Sequence, residues 1–317
     1  NGALTLNAGR DLLVNAAILD GAAITLTAPR NVLFSADGAV DAGSGNIGIT
    51  ATSGNVALGA LTGGAITVNA GGSITDANGS GVNLSATSAI LTASTGSIGA
   101  LADGLETSVG TLTLNSANGS AFISNSQALN LTSVNVGDDL NVSLPTAGNL
   151  TLNQSTPTIG GNATFSVANG QLIVPNTGWT TTGNLTVSAT RIVDSNSSAT
   201  VSLTANNADL TLTGAVASTL NVDFNTLALQ LSGGSTQTVQ VTDSNALSIS
   251  NLSSNGNLTI STANGSDLTI TDTTPVSSGQ LTLNAGRNLV LSTAGLNVTG
   301  DLTISADDMR DSNASSN

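Results

Sequence analysis

Apolar and small polar residues alternate in short runs along the whole chain. Leu4-Thr-Leu6, Ile24-Thr-Leu26 and Leu258-Thr-Ile260 are examples, and each places aliphatic residues two positions apart. A period of two is typical of strands that bury one face and leave the other in water. Such runs start about every 8 to 14 residues, separated by glycine-containing pairs such as Asn-Gly and Asp-Gly. Since no segment keeps a helical period, the pattern predicts many short strands joined by tight turns.

The strand-like runs belong to a long internal repeat. The segment LTVSATRIVDSN at residues 185–196 has counterparts in ITVNAGGSITDAN at 66–78 and LTISADDMRDSN at 302–313. The Asp-x-Asn motifs that close these segments lie 118 and 117 residues apart and begin at Asp76, Asp194 and Asp311. The chain therefore holds about 2.7 copies of one unit. We place the copies at 1–78 (partial), 79–196 and 197–313.

Several architectures contain many short strands, and the repeat favours one of them. A sandwich needs bulky side chains between its sheets, but only 2% of the residues are aromatic. Propeller blades repeat at about 40 to 50 residues, far below the interval observed here. Coils of two or three strands need only Leu, Val and Ile inside, which the chain supplies. We therefore predict an all-β fold, a parallel β-helix (β-solenoid) with about 20 residues per coil and one continuous stack over residues 1–317.

This architecture carries two further expectations. About fifteen coils at the strand spacing of about 4.8 Å would form a rod of roughly 70 Å. Inward aliphatic residues would build one continuous core, so aspartate in place of Leu150 or Leu268 is expected to break the stack locally. We also expect Asn and Thr side chains to form stacked rows at the turns.

Composition narrows the functional classes. Nineteen acidic residues stand against five arginines, giving a net charge of −14. Such a polyanion repels phosphate backbones and anionic lipids, so nucleic acid and membrane surfaces are poor partners. There is no Cys to form disulfides and no apolar run near 18 residues, so we expect no membrane span. The chain starts and stops within a repeat, and we interpret it as an internal segment of a longer protein.

Catalysis has few candidate residues. The sequence contains no His, Cys, Lys or Tyr, so the usual general bases and activated nucleophiles are missing. We therefore predict that the chain is not an enzyme and has no catalytic, cofactor-binding or metal-binding residue. A carbohydrate-active β-helix enzyme stays the lowest alternative, because it would need clustered carboxylates and aromatic platforms. Trp179, the one tryptophan, is interpreted as covering a kink, with sugar stacking as the alternative.

The acidic residues offer weak metal-binding patterns. Asp138-Asp139 and Asp307-Asp308 could supply oxygen ligands to Ca²⁺, but solvated turns are the favoured interpretation. Residues 41–46 and 76–81 faintly resemble calcium loops, although neither has a glutamate at the required spacing. The repeated Asp-x-Asn motif is interpreted as a turn whose side chains cap the backbone.

Two further sequence features concern the surface. Asn-x-Ser/Thr sequons follow from the Asn-Leu-Thr strand phrase, and modification of them is left open; they include Asn130, Asn149, Asn184, Asn257 and Asn297. Ice-binding solenoids need ordered Thr rows on one face. The threonine pairs at residues 25–27 and 111–113 are taken as isolated cases, which disfavours ice binding.

Three segments carry a resemblance to a known family. They are GALTLNAGRDLLV at residues 2–14, GSIGALADGLETSVGTLTLNSANGSAFISNSQALNLTSV at 96–134 and GQLTLNAGRNLVL at 279–291. All three resemble the repeats of filamentous-haemagglutinin-like adhesins, the large exoproteins of Gram-negative two-partner secretion. The resemblance extends along essentially the whole chain. It implies a right-handed β-helical shaft, export through an outer-membrane secretion pore, and a role in adhesion or biofilm.

The resulting functional hypothesis is a structural repeat shaft of a secreted bacterial adhesin or surface fibre, located on the extracellular surface. The alternative is a self-assembling extracellular filament subunit. Expected partners are neighbouring repeats of the same polypeptide, like chains stacked end to end, the secretion pore during export, and a host-cell or bacterial surface receptor.

Overall fold

The computed structural model describes residues 2–154, 157–175, 178–195, 200–292 and 295–312. The chain forms two compact units, Asn1–Asn162 and Ala163–Asn317. Each unit consists of parallel strands stacked as a β-solenoid, and the two units together contain about 14 turns roughly 21 residues apart. The all-β solenoid prediction is therefore confirmed, and the described residues contain no helix. The single continuous stack over residues 1–317 stays a prediction.

The first eleven strands of unit 1 have three to six residues, whereas the later ones vary from two to twelve residues. Its strands are β1 Leu4–Asn7, β2 Leu12–Val14, β3 Ala17–Leu19, β4 Ile24–Ala28, β5 Val32–Phe34, β6 Ala39–Asp41, β7 Ile47–Ala51, β8 Val56–Leu58, β9 Ala60–Thr62, β10 Ala65–Ala70, β11 Ile74–Asp76, β12 Leu84–Ala93, β13 Leu105–Ser116, β14 Ala121–Asn125, β15 Leu129–Val136, β16 Leu140–Leu144, β17 Leu150–Leu152 and β18 Thr158–Ile159.

The strands of unit 1 pair in register, so similar residues lie above one another. On the first sheet, Leu4 pairs with Ile24, Ile24 with Ile47, and Ile47 with Ile66. These steps are 20, 23 and 19 residues, close to the predicted coil length. A second sheet stacks β2, β5, β8 and β11, and a third stacks β3, β6 and β9. Each early coil of unit 1 therefore has three strands.

Unit 2 repeats this construction. Its strands are β19 Ala163–Val167, β20 Gln171–Val174, β21 Trp179–Thr180, β22 Leu185–Ala189, β23 Arg191–Asp194, β24 Leu203–Leu212, β25 Ser218–Leu231, β26 Thr238–Asp243, β27 Leu247–Ser254, β28 Asn257–Thr262, β29 Leu268–Ile270, β30 Val276–Ser277, β31 Leu281–Asn284, β32 Asn288–Leu291, β33 Asn297–Val298, β34 Leu302–Ser305 and β35 Asp308–Asp311.

The core of each unit follows the period-two pattern. In β7 and β10 the inward Ile47, Ile49, Ile66 and Val68 are at most 1% exposed. Each buried aliphatic side chain of this size contributes about 1.5–3 kcal/mol. Val82 and Leu302 also lie two positions from another aliphatic residue in the sequence, but they are 43% and 44% exposed. Leu302 lies in β34, which pairs with β31 but has no described strand on its other side.

The long strands turn a corner without leaving the strand. In β13 the buried residues run to Val109 and resume at Leu112, and in β25 they run to Phe224 and resume at Leu227. Two consecutive outward residues thus shift the alternation by one position. Backbone pairing continues on both sides of this shift. The alternation pattern predicts separate short strands here, whereas β25 continues through a corner that contains no Pro or Gly.

A bulge recurs at the same place in both units. The register between β13 and β15 skips Thr132, and the register between β25 and β27 skips Ser250. These residues are 118 positions apart, the interval of the sequence repeat. Each hydroxyl donates to a carbonyl of the preceding coil, Thr132 to Leu112 at 3.3 Å and Ser250 to Leu227 at 3.4 Å. The repeat is therefore also a repeat of local backbone geometry.

Candidate functional site: the polar corners

A column of short polar side chains runs along one corner of unit 1. Each member directly precedes a strand or a bridge residue, and the oxygen of each member but the last accepts a hydrogen bond from the backbone N–H of the next member. The column is Asp11, Asn31, Asn55, Ser73, Ser97, Ser120, Asp139 and Asn162, with N–O distances of 2.8–3.3 Å. This confirms the expected rows for Asn, with Ser and Asp in place of Thr. The side chains satisfy backbone N–H groups at the turn.

Two members of such columns also bind arginine from the next coil. The Asp11 carboxylate lies 3.3 Å from Arg30 Nε and accepts from Asn31 Nδ2 at 2.9 Å. In unit 2 the Asp267 carboxylate accepts hydrogen bonds from Nε and Nη2 of Arg287, each at 2.8 Å, and from Asn288 Nδ2 at 2.9 Å.

The two aspartates differ in how strongly they are paired. Burial opposes ionisation of Asp11, but hydrogen bonds from Arg10 and Asn31, with Arg30 nearby, hold its pKa below the ordinary value. The hydrogen bond from Arg287 holds the pKa of Asp267 well below its usual range. Both carboxylates therefore remain ionised at neutral pH and clamp one coil to the next.

Aspartates also cap turns through their own i+2 backbone. The Oδ1 atoms of Asp41 and Asp76 accept the N–H of Gly43 and Asn78, each at 2.8 Å. The turn interpretation of the Asp-x-Asn motif is thus confirmed at Asp76. For the other two predicted copies the partner positions, Asn196 and Asn313, lie outside the described residues.

Two further aspartates, which were not predicted from the sequence, form the same cap. Asp243 Oδ1 accepts from Asn245 N at 2.8 Å, and Asp272 Oδ1 accepts from Thr274 N at 2.9 Å. Both side chains are buried, unlike the exposed Asp41. The recurring pattern Thr-Asp-x-Asn/Thr was the available signal, and burial could not be read from it.

A second group of polar residues lies beneath the loop after Asp76. Asn83 is fully buried, donates to Asp76 Oδ1 at 2.6 Å and accepts from Glu106 N at 3.0 Å. Asp76 Oδ2 and Glu106 Oε2 are buried without a hydrogen-bond partner. Burial raises the pKa of Glu106, and the charges of Asp76 and Asp103 act in the same direction. The Asn83 amide therefore links two coils. Ionisation of Glu106 is disfavoured at this corner, because the group is partly buried and lies near Asp76 and Asp103.

Of the four candidate calcium residues, Asp139 and Asp308 bond to other groups of the protein. Asp138 and Asp139 are exposed, and Asp139 Oδ1 accepts from Asn162 in the column described above. Asp307 and Asp308 are also exposed, and Asp308 pairs with Arg310 at 3.0 Å. Over the described ranges, no group of three or more His, Cys, Asp or Glu side chains is placed to hold a metal ion.

Trp179 belongs to the core of unit 2. It is 2% exposed and packs edge-to-face on Phe165, with ring centroids 5.0 Å apart. Its backbone N–H donates to Ser202 O at 2.8 Å. A buried ring offers no platform for a sugar, so the sugar-stacking alternative is wrong.

The outward face of the first sheet in unit 1 carries two ranks of mostly polar residues. One rank reads Thr5, Thr25, Gly48, Thr67, Ile90 and Thr113, and the other reads Asn7, Thr27, Thr50, Asn69, Thr92, Asn115 and Asn135. Among these coils only β4 carries threonine at both positions, so the Thr25/Thr27 pair stands alone, as expected. The second rank mixes hydroxyl and amide groups, and in it Asn135 Nδ2 donates to Asn115 Oδ1 at 2.9 Å. This bond adds a side-chain link between coils.

Comparison with known protein families, curated proteins and solved structures gave no match for this chain. The resemblance to filamentous-haemagglutinin-like repeats therefore stays a prediction. Within the described ranges there is no helix long and apolar enough to cross a membrane.

Proposed function

We propose that this chain is a structural shaft segment of a secreted bacterial adhesin or surface fibre. The observation that supports this proposal is the redundancy of links between successive coils in each unit. Backbone pairing, the aliphatic core and the polar column all join the same neighbours. A segment built this way resists bending and local opening, which is what a spacer between a cell and a distal binding region requires.

The chemistry of the side chains supports the same role. Most of the polar residues described above bond to the adjacent coil, so they stabilise the stack. The net charge of −14 keeps such a stack soluble outside the cell. In this proposal the chain is exported through an outer-membrane pore and is held at the Gram-negative surface. A receptor on a host or bacterial cell is bound by a different segment.

Lengthening the repeat tests the proposal directly. A variant that carries residues 79–196 twice should be longer than the parent by about 25 Å, from five to six added coils at about 4.8 Å each. Negative-stain electron microscopy of both proteins at two concentrations measures this length. A matched control carries a flexible Gly/Ser insert of the same number of residues, which should not lengthen the particle in the same way.

The possible results separate the hypotheses. Single particles that lengthen only with the duplicated repeat support a shaft. Concentration-dependent end-to-end filaments of the parent protein would favour the filament-subunit alternative. Particles whose length ignores the duplication would contradict the shaft.

A further inference from the structure

The in-strand corner is capped from the next coil in both units. The Val109 N–H, at the corner of β13, donates to Asn125 Oδ1 at 2.9 Å. The Phe224 N–H, at the corner of β25, donates to Asp243 Oδ2 at 2.9 Å. Asn125 and Asp243 are 118 residues apart and are both 0% exposed. The same buried position is therefore an amide in unit 1 and a carboxyl group in unit 2.

The surroundings of Asn125 require an amide. Its Nδ2 donates to Val109 O at 3.1 Å and to Gln127 O at 2.8 Å, while its Oδ1 also accepts from Thr107 Oγ1 at 2.8 Å. Both ends of the amide are satisfied, and the cap carries no charge. This corner of unit 1 has no proton to gain or lose at the cap.

The surroundings of Asp243 offer two donors. Oδ2 accepts from Phe224 N and Oδ1 accepts from Asn245 N, at 2.9 and 2.8 Å. Burial nevertheless raises the pKa of Asp243 to about 6, against the effect of these two bonds and together with the charge of Asp223. Two backbone donors thus compensate only part of the cost of removing the charge from water.

A second cap shows the same exchange. The Val134 N–H donates to Gln154 Oε1 in unit 1, and the Leu252 N–H donates to Asp272 Oδ2 at 2.7 Å in unit 2. Val134 and Leu252 are again 118 residues apart, as are Gln154 and Asp272. Carboxyl groups thus replace amides at two buried caps of unit 2.

We propose that the Asp243 corner is a pH-responsive joint: uptake of one proton closes the β25–β26 rung of unit 2, and loss of that proton loosens it. The corresponding rung of unit 1, capped by Asn125, does not respond. The proposal goes beyond the shaft function, because it makes the two units differ in their response to acid.

The direction of the effect follows from linkage. The pKa of Asp243 is about 6 in the folded chain, compared with an ordinary value of 3.8, so the folded state binds this proton more tightly than the unfolded state does. The extra stability is therefore complete below about pH 3.8 and is lost as the pH rises through 6. At neutral pH the joint is in its weaker state.

Few other charges face this carboxyl group. β26 packs between β25 and β28. β25 contributes Asp223, whose Oδ1 accepts from Asn245 Nδ2 at 2.9 Å. β28, with the sequence NLTIST, contains no titratable residue. No arginine lies on either strand, so no cation there offsets ionisation of Asp243.

Residue-resolved hydrogen exchange on the whole chain between pH 4 and pH 7 tests the joint. The exchange rates are first corrected for the intrinsic rate at each pH. The protection factor of the Phe224 amide should then fall by at least about tenfold as the pH rises. Release of a single proton can change this factor by at most about tenfold per pH unit. Protection of the Val109 amide should stay constant over the same range and serves as the internal control.

Matched variants assign the effect to one side chain. Asp243→Asn should abolish the pH dependence at Phe224, and Asn125→Asp should create one at Val109, because two carbonyl oxygens there would face the new carboxyl group. Asp209→Asn removes an exposed charge of the same unit and should leave the dependence intact. Equal pH profiles for Phe224 and Val109 in the parent protein, or an unchanged profile in Asp243→Asn, would overturn the proposal. The parent profiles decide the matter even if a variant fails to fold.

Discussion

Val109 in unit 1 and Phe224 in unit 2 occupy the same corner of a coil, but different chemistry caps their backbone N–H groups. Asn125 serves the first and Asp243 the second, at nearly the same N–O distance of 2.9 Å. Both residues thus accept the same backbone hydrogen bond, but only Asp243 can carry a charge. Backbone geometry depends on the acceptor, whereas the response to pH depends on the ionisable group. Two copies of one repeat can therefore share a fold and differ in behaviour.

The largest effect is expected where the two copies are chemically identical. Leu150 and Leu268 are 118 residues apart and both are 0% exposed. Aspartate at either position would bury an unpaired charge, so we expect each variant to lose about 4–5 kcal/mol or more of unfolding free energy. Thermal and urea unfolding measure the loss.

Outward neighbours are the controls for these core variants. Thr151→Asp and Thr269→Asp add the same charge to the half-exposed face and should change stability little. Similar losses for the two leucine variants would support structural equivalence of the copies. A melting curve unchanged by either one would contradict its inward assignment.

A smaller effect is expected from close backbone approach. Gly286 and Gly9 occupy the same place in the phrase Asn-Ala-Gly-Arg. A Cβ on Gly286 would lie 1.8 Å from Ala263 O, whereas a Cβ on Gly9 would have no neighbour within 4 Å. Gly286→Ala should cost about 1–3 kcal/mol through displaced backbone. The free energy of unfolding of Gly9→Ala should remain within about 0.5 kcal/mol of the parent value in the same assay. Equal losses of unfolding free energy in the two variants would show that close contact between coils does not cause the loss in Gly286→Ala.

The smallest effect is expected at the ion pairs. Arg287→Gln should lower the melting temperature slightly more than Arg30→Gln, because Arg287 holds Asp267 through two bonds and Arg10 still pairs with Asp11 in the second variant. Pairing with Arg287 lowers the pKa of Asp267 in the folded state. The contribution of this pair to the free energy of unfolding is therefore present above the ordinary pKa of 3.8 and is lost as the pH falls below it. Melting at pH 6 and pH 2, in low salt and in 1 M salt, checks this. A difference that persists in acid and high salt would have a packing origin.

Much of the architecture could be predicted from local patterns. Alternation in segments such as residues 47–51 marks the buried face, and the 117–118-residue interval marks equivalent coils. The in-strand corners of β13 and β25 were missed because the outward pairs Gly110-Thr111 and Asn225-Thr226 do not show whether a strand ends or continues. Only pairing with the next coil keeps those strands continuous.

By itself, the sequence determined the solenoid class, the aliphatic core and the use of Asp and Asn as turn caps. These depend on side-chain periodicity and on bonds that span two residues. The tertiary structure alone decided which polar residues meet. The step from one coil to the next is 19, 20 or 23 residues, so the members of a column cannot be found by a fixed spacing in the sequence. The tertiary structure also decided that Asp41 lies in water while Asp243 is buried. The cap motif is similar in both, but burial depends on the neighbouring coil that covers it.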